Sequence, residues 1–127
     1  AKKILFQSPA SFYPSGDHIK NLRQFFKKIK AFPFIYIWEP RGRWDRGEVE
    51  GICTDFGIVP CLDPFDRRSI RGDLFYVRLH GKTGYRYTYS EAEMKELIRL
   101  GEAYSQAYMM FNNVSMYEDA KHLKNLL

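Results

Sequence analysis

The segment Leu74–Gly81 constrains the fold and function of this chain more than any other stretch. It reads Leu-Phe-Tyr-Val-Arg-Leu-His-Gly, and residues two apart in a strand lie on the same face. A strand here places Arg78 and His80 on one face with Tyr76, and only apolar side chains on the other. Because a buried strand rarely carries an arginine and a histidine on one face, we expect that face to hold either a functional site or a satisfied polar network.

Strand and helix patterns alternate along the rest of the chain. Runs of β-branched and aromatic residues predict strands at about 3–7, 34–39, 57–63, 74–80 and 106–112. Amphipathic spacing predicts helices at about 19–29 and 46–56, a third that opens with a capping box of Ser90 and Glu93, and a fourth over about 115–126. The strands are apolar on both faces, which is typical of parallel strands covered by helices. We therefore predict an α/β fold with about five strands and four helices, in one domain over residues 1–127.

Two local features of this fold are also expected. The apolar residues of the last helix predict a buried stripe of Met116, Ala120, Leu123 and Leu127. Residues 64–72 predict a polar, charged loop, because so short a segment leaves no room for the crossover helix that parallel strands usually need.

The composition indicates one globular domain, which we expect in the cytoplasm. The 127 residues are 45% hydrophobic, and no apolar run approaches the roughly 18 residues that a membrane span needs. No secretory signal pattern opens the chain, and Cys53 and Cys61 are too few for a disulfide framework. The net charge of +5 permits an anionic partner such as nucleic acid or a phosphorylated metabolite. No membrane partner is expected.

Polar residues end or follow every predicted strand. Since the carboxyl ends of parallel strands lie at one edge of a sheet, we expect these side chains to form a site there. Turns also favour Asn and Asp, so each residue taken singly has a structural alternative. The set is Gln7, Glu39 with Arg41, Asp63, Arg78 with His80, and Asn112 with Asn113.

The chemistry of this set favours anion binding. Arg78 and Arg41 can clamp a phosphate or carboxylate, with His80 and the Asn amides as further donors. His80 and Glu39 are the candidate acid and base for a hydrolytic reaction. A divalent metal held by Glu39, Asp63 and His80 is a second interpretation, although these residues have no local spacing signature.

A tyrosine-rich loop lies beside the predicted site. Tyr85, Tyr87 and Tyr89 alternate with polar residues that include Arg86. Aromatic and cationic side chains in this arrangement can stack on bases or sugars, or the rings can pack on their own scaffold. The basic helix over Lys20–Lys30 offers a separate route to nucleic-acid binding, or it is a solvated helix face.

Several segments resemble the YecE-like family, also called domain of unknown function 72. They occur in family order and span nearly the whole chain: Trp38-Glu-Pro-Arg41 with Trp44, Val59-Pro-Cys-Leu-Asp-Pro-Phe65, Tyr76-Val-Arg-Leu-His-Gly81, Tyr87-Thr-Tyr-Ser90, and Met110-Phe-Asn-Asn-Val114 with Asp119-Ala120. The resemblance implies a TIM-barrel-like fold without an established activity. It also implies that the recurrent polar positions of the family are Glu39, Arg41, Arg78, His80, Asn112 and Asn113.

The resemblance covers only the carboxyl-terminal half of the family, which is about twice as long. The Gly-Thr-Ser-Gly-Trp and Glu-Asn-Ser-Thr-Phe-Tyr types of segment that the family carries in its first half do not occur here. Half a barrel would leave strand edges and an apolar inner face uncovered. We therefore expect a homo-oligomer, or a second chain that completes the barrel. The alternative function is a non-catalytic half-barrel subunit or fragment whose polar residues are structural.

Overall fold

The computed structural model of the protein describes residues 1–65 and 72–127. It divides into two compact units, Ala1–Cys61 and Leu62–Leu127. In the described residues there are five strands and four helices, and every strand pairing is parallel. The predicted α/β class and its alternation of strands and helices are confirmed.

The first unit is a three-stranded parallel sheet with two helices. The order of its elements is β1 (Lys3–Ser8), α1 (Gly16–Ile29), β2 (Ile35–Pro40), α2 (Arg46–Phe56) and β3 (Val59–Pro60), and β2 lies between β1 and β3. Ser15 caps the start of α1, because its side chain accepts a hydrogen bond from the backbone N–H of His18 at 3.1 Å. Its buried ring, Phe26, meets Trp38 of β2 edge-on, with 5.8 Å between ring centroids.

The second unit pairs two parallel strands and covers them with two helices. Its elements are β4 (Leu74–Leu79), α3 (Glu91–Gly101), β5 (Gln106–Phe111) and α4 (Met116–Leu126). An isolated parallel bridge joins Leu62 to Val77. The core gathers Leu79 of β4 with Met94 and Leu97 of α3 and Leu123 of α4.

The third strand is shorter than the sequence predicts. Only Val59–Pro60 forms a strand, not 57–63. Gly57 adopts a left-handed conformation with φ of 65° and ends α2, and the N–H of Ile58 bonds back to the carbonyl of Cys53. These two residues therefore belong to the end of the helix. Pro60, which has no N–H, limits the ladder further.

The predicted apolar stripe of α4 is wrong in three of its four positions. Met116, Ala120 and Leu127 are exposed, and only Leu123 is buried. The buried side of the helix instead runs through Asp119, Leu123 and Leu126, which have the i, i+4, i+7 spacing of one helix face. The sequence pattern gave the wrong face because an aspartate is expected to be exposed, whereas Asp119 is buried.

The predicted polar loop over 64–72 lies largely outside the described residues.

Candidate anion site

The two faces of the β4–β5 sheet differ in what covers them. Phe75 and Val77 pack against Leu100 and Tyr104, on the side of the sheet that carries the helices. Tyr76 and Arg78 alternate with them and are half-buried on the opposite face. The predicted division of this strand into an apolar and a polar face is therefore confirmed.

We call the side opposite the helices the Arg78 face, and define it by Tyr76, Arg78 and His80 of the first strand segment with Tyr108, Met110 and Asn112 of the second. The strand register places Tyr76 beside Tyr108 and Arg78 beside Met110. The two tyrosine rings stack with centroids 5.8 Å apart and with their planes 22° from parallel. Arg78 thus lies between a pair of aromatic rings and the carboxyl end of the strands.

His80 and Asn112 meet at that carboxyl end. The side-chain nitrogen Nδ2 of Asn112 lies 3.0 Å from Nδ1 of His80, and the Asn112 backbone N–H donates to the carbonyl of Leu79 at 2.8 Å. When the amide nitrogen of Asn112 donates, Nδ1 of His80 accepts, so the ring carries its proton on Nε2. In that tautomer the Nε2–H group is the hydrogen-bond donor of the ring.

Asn113 lies in a different environment from its neighbour. Its side chain is fully buried, and Nδ2 donates to the carboxylate of Asp119 at 2.6 Å and to the carbonyl of Tyr87 at 2.7 Å. The carboxylate of Asp119 also accepts from the backbone N–H of Tyr89 at 3.4 Å. These bonds fasten the loop after β4 to the start of α4.

The loop of residues 81–89 is fixed at several further points. The N–H of Gly81 donates to the hydroxyl of Tyr89 at 2.8 Å, and the hydroxyl of Tyr87 donates to Glu93 at 2.6 Å. Glu93 also forms an ion pair with Lys82 at 2.6 Å. Burial raises the pKa of Glu93, but hydrogen bonds from Lys82, Tyr87 and the backbone of Ser90 outweigh it and lower the pKa to about 2. The carboxylate is therefore ionised at neutral pH.

In the first unit, Gln7 and Glu39 lie side by side at the ends of β1 and β2. Glu39 is buried, with 4% of its surface exposed, and Nη1 of Arg41 lies 3.3 Å from its Oε1. The structure therefore brings together three of the predicted residues at the carboxyl edge of this sheet. An arginine partner two residues along the chain compensates the buried charge.

Asp63 forms a turn. Its Oδ1 accepts a hydrogen bond from the backbone N–H of Phe65 at 3.0 Å, which is the pattern of an Asx turn with Pro64 at its centre. Across the described residues, no group of three or more His, Cys, Asp and Glu side chains has a geometry that could hold a metal ion.

The predicted site residues fall into two groups, one in each unit. The first unit holds Gln7, Glu39 and Arg41, and the second holds Asp63, Arg78, His80, Asn112 and Asn113.

Sequence reasoning missed Asp119 and Glu93 as organisers of this region. Glu93 was expected only to cap α3, and it does so, with Ser90 as its capping-box partner. The hydroxyl of Tyr87 and the amine of Lys82 reach the same carboxylate. A glutamate that follows a tyrosine-rich loop offered a signal for the added role, whereas nothing in the local pattern marks Asp119 as buried.

The family model described as "Protein of unknown function DUF72" matches residues 1–127. The chain belongs to the DUF72 family. This confirms the family that the sequence motifs indicated, and the family description itself assigns no activity. A search of curated proteins returns no match.

A DUF72 family protein from Enterococcus faecalis has a similar crystal structure. The two chains share 15% sequence identity with a TM-score of 0.76, and the match covers 98% of this chain and 58% of the other. The likeness confirms the fold as parallel β/α units of a partial TIM-like barrel. The chain spans less than two thirds of the length of that relative.

None of the described helices is long and apolar enough to cross a membrane.

Proposed function

We propose that the Arg78 face binds a phosphorylated or nucleic-acid-like anion. The observation that carries the proposal is the position of Arg78 on the same face as the His80–Asn112 pair, at the carboxyl ends of two parallel strands. Ligand sites in parallel α/β sheets and barrels lie at this edge. Among residues 62–65 and 72–127, no other face combines a strand arginine with a histidine.

The side chains of the Arg78 face suit such a ligand. A guanidinium binds phosphate through two parallel hydrogen bonds, and His80 can donate from Nε2. The stacked rings of Tyr76 and Tyr108 offer a flat surface beside the arginine for a base or sugar. The net charge of +5 favours the approach of an anion.

Titration calorimetry with pyrophosphate tests the proposal. Wild-type protein is compared with Arg78→Met and with the matched control Arg99→Met, which removes the same charge from an exposed arginine of α3. Losing a charged hydrogen-bond donor should weaken binding roughly tenfold to 100-fold for Arg78→Met. The control should bind within about twofold of the wild type. Equal affinity in the two variants, or no binding by the wild type, would contradict the proposal.

Hydrolysis is the second step of this proposal, in which a water molecule attacks the bound phosphate and His80 acts as the general acid or base. Phosphate release from a phosphate monoester should occur with the wild type and be lost in His80→Gln. A wild-type protein that binds the ester and leaves it intact would contradict the hydrolytic step while binding stands.

The second candidate function is a non-catalytic subunit whose polar residues are structural. The buried bonds of Asn113 to Asp119 and Tyr87 favour it, because they leave that side chain no access to a ligand. If the protein is such a subunit, Arg78→Met should lower the free energy of unfolding, and its affinity for pyrophosphate should equal that of Arg99→Met. Thermal denaturation alongside the calorimetry separates the two candidates.

A further inference from the structure

The three tyrosines of the loop 81–89 have different surroundings. Tyr89 is buried and Tyr87 is half-buried, with hydroxyl bonds to Gly81 and Glu93 respectively. Tyr85, in contrast, is 58% exposed. Two of the rings therefore pack on the scaffold and one is presented to solvent.

The backbone on both sides of Tyr85 is held in place. The carbonyl of Tyr85 accepts a hydrogen bond from the N–H of Val114 at 2.7 Å, and the carbonyl of Tyr87 accepts one from buried Asn113. Within the loop, the N–H of Tyr87 donates to the carbonyl of Gly84 at 3.0 Å. A ring held outward on a fixed backbone loses little conformational entropy when it binds a partner.

Arg86 adjoins Tyr85 and is also exposed. It forms no ion pair with a described residue, whereas Lys82 of the same loop is paired with Glu93. The residues of 83–88 line an open cavity of about 560 Å³, a volume within the range of small-ligand sites. The loop thus offers a flat ring, a cation and space beside both.

We propose that Tyr85 and Arg86 form a stacking platform for a base of single-stranded nucleic acid. The inference rests on the proposed function, because it assigns the ligand class of the same strand ends: the loop begins directly after His80 and is tied through Val114 to the segment that follows Asn112. Every base has a flat face for an aromatic ring, and an adjacent arginine binds the phosphate that links it to the next nucleotide.

Fluorescence anisotropy with a labelled single-stranded oligothymidylate tests the platform. Removing one stacked ring should weaken binding by roughly five- to 100-fold in Tyr85→Ala, and Tyr85→Phe should restore it. The matched control is Tyr13→Ala, because Tyr13 is 59% exposed in the first unit. It should bind like the wild type.

Pyrophosphate calorimetry on the same variants separates this inference from the proposed function. Tyr85→Ala should bind pyrophosphate as the wild type does, since a free phosphate has no base to stack. Oligonucleotide affinity that is equal in Tyr85→Ala and Tyr13→Ala overturns the platform while pyrophosphate binding that depends on Arg78 still stands. A protein that binds neither probe overturns both. Self-association that is lost in Tyr85→Ala, with no oligonucleotide binding, would show a protein interface and also overturn the platform.

Discussion

Gly81 is a position where only glycine fits. Its φ is +91°, a region that side chains disfavour, and an added Cβ would overlap the carbonyl oxygen of Gly84 and lie 2.8 Å from Cβ of Tyr87. Gly84 has a similarly positive φ of +123° but open space around it. Substituting each glycine by alanine therefore distinguishes the cost of backbone strain, present at both positions, from the cost of a steric clash, present only at Gly81.

We predict that Gly81→Ala lowers the free energy of unfolding by more than about 2 kcal/mol, because strain and clash add. Gly84→Ala should cost only about 1 kcal/mol, from the strain alone. Urea denaturation of both variants measures the difference. Equal losses would mean that the backbone around Gly81 relaxes freely and that the loop is not fixed as described.

Asn113 and Asp119 form the buried polar pair of the second unit. Asn113→Ala leaves a buried carboxylate with fewer donors, so we predict a loss of about 2–4 kcal/mol in the free energy of unfolding. Asn112→Ala is the control, because its side chain is only half-buried and bonds to His80. Chemical denaturation should show the smaller loss for Asn112→Ala, and the reverse order would contradict the assigned roles.

The sequence predicted which residues share the Arg78 face, because strand alternation depends only on position along the chain. It could not separate Asn112 from Asn113 by burial. That difference arises from Asp119, which is six residues beyond Asn113, lies buried in the first turn of α4 and accepts a hydrogen bond from the Asn113 side chain. Contacts of this kind depend on how elements pack and leave no local pattern.

At the level of elements, the capping box of α3 was predicted and is confirmed, since Ser90 and Glu93 exchange hydrogen bonds at 2.8 and 3.2 Å. Helix α2 begins and ends where the pattern placed it, at Arg46 and Phe56. The third strand is shorter than predicted because Gly57 and Ile58 form the end of α2. The apolar stripe of α4 was predicted wrongly because Asp119 occupies a buried position. Elements were therefore predictable where local signals agreed.

Glu93 makes the start of α3 sensitive to acid. Its pKa in the folded protein is about 2, below the value of about 4.3 in an unfolded chain. The ionised carboxylate therefore stabilises the fold above about pH 4.3, and this contribution is lost as the pH falls towards 2. We predict that Glu93→Gln is less stable than the wild type at pH 6 and that the difference shrinks towards pH 2.

Urea denaturation across this pH range measures the effect. Glu118→Gln is the control, because it removes the same charge from an exposed first-turn position of α4. A stability difference for Glu93→Gln that stays constant from pH 6 to pH 2 would contradict the assigned role of the ionised carboxylate.

For the whole molecule, the parallel α/β fold followed from strands that are apolar on both faces, and the family relationship supports it. The carboxyl ends of parallel strands lie at one edge only when the strands belong to the same sheet. Glu39 and His80 belong to different units, so their expected cooperation as base and acid remains a prediction from the sequence.

We predict that the protein associates with a copy of itself or with a second chain. The first unit exposes Phe32, Phe34 and Ile35 in succession around the start of β2, and contiguous exposed apolar residues mark interaction surfaces. Sedimentation at micromolar concentration should show a particle heavier than one 15.0 kDa chain. A single species of that mass would contradict the prediction.

The most direct test of the central claim is a two-dimensional ¹H–¹⁵N NMR titration with pyrophosphate. The account predicts shifts for the side-chain resonances of Arg78, His80 and Asn112, with exposed Arg99 unchanged. Shifts confined to the lysines of α1 would place the anion on the basic helix instead. That result, or an unchanged spectrum, would contradict an anion site on the Arg78 face.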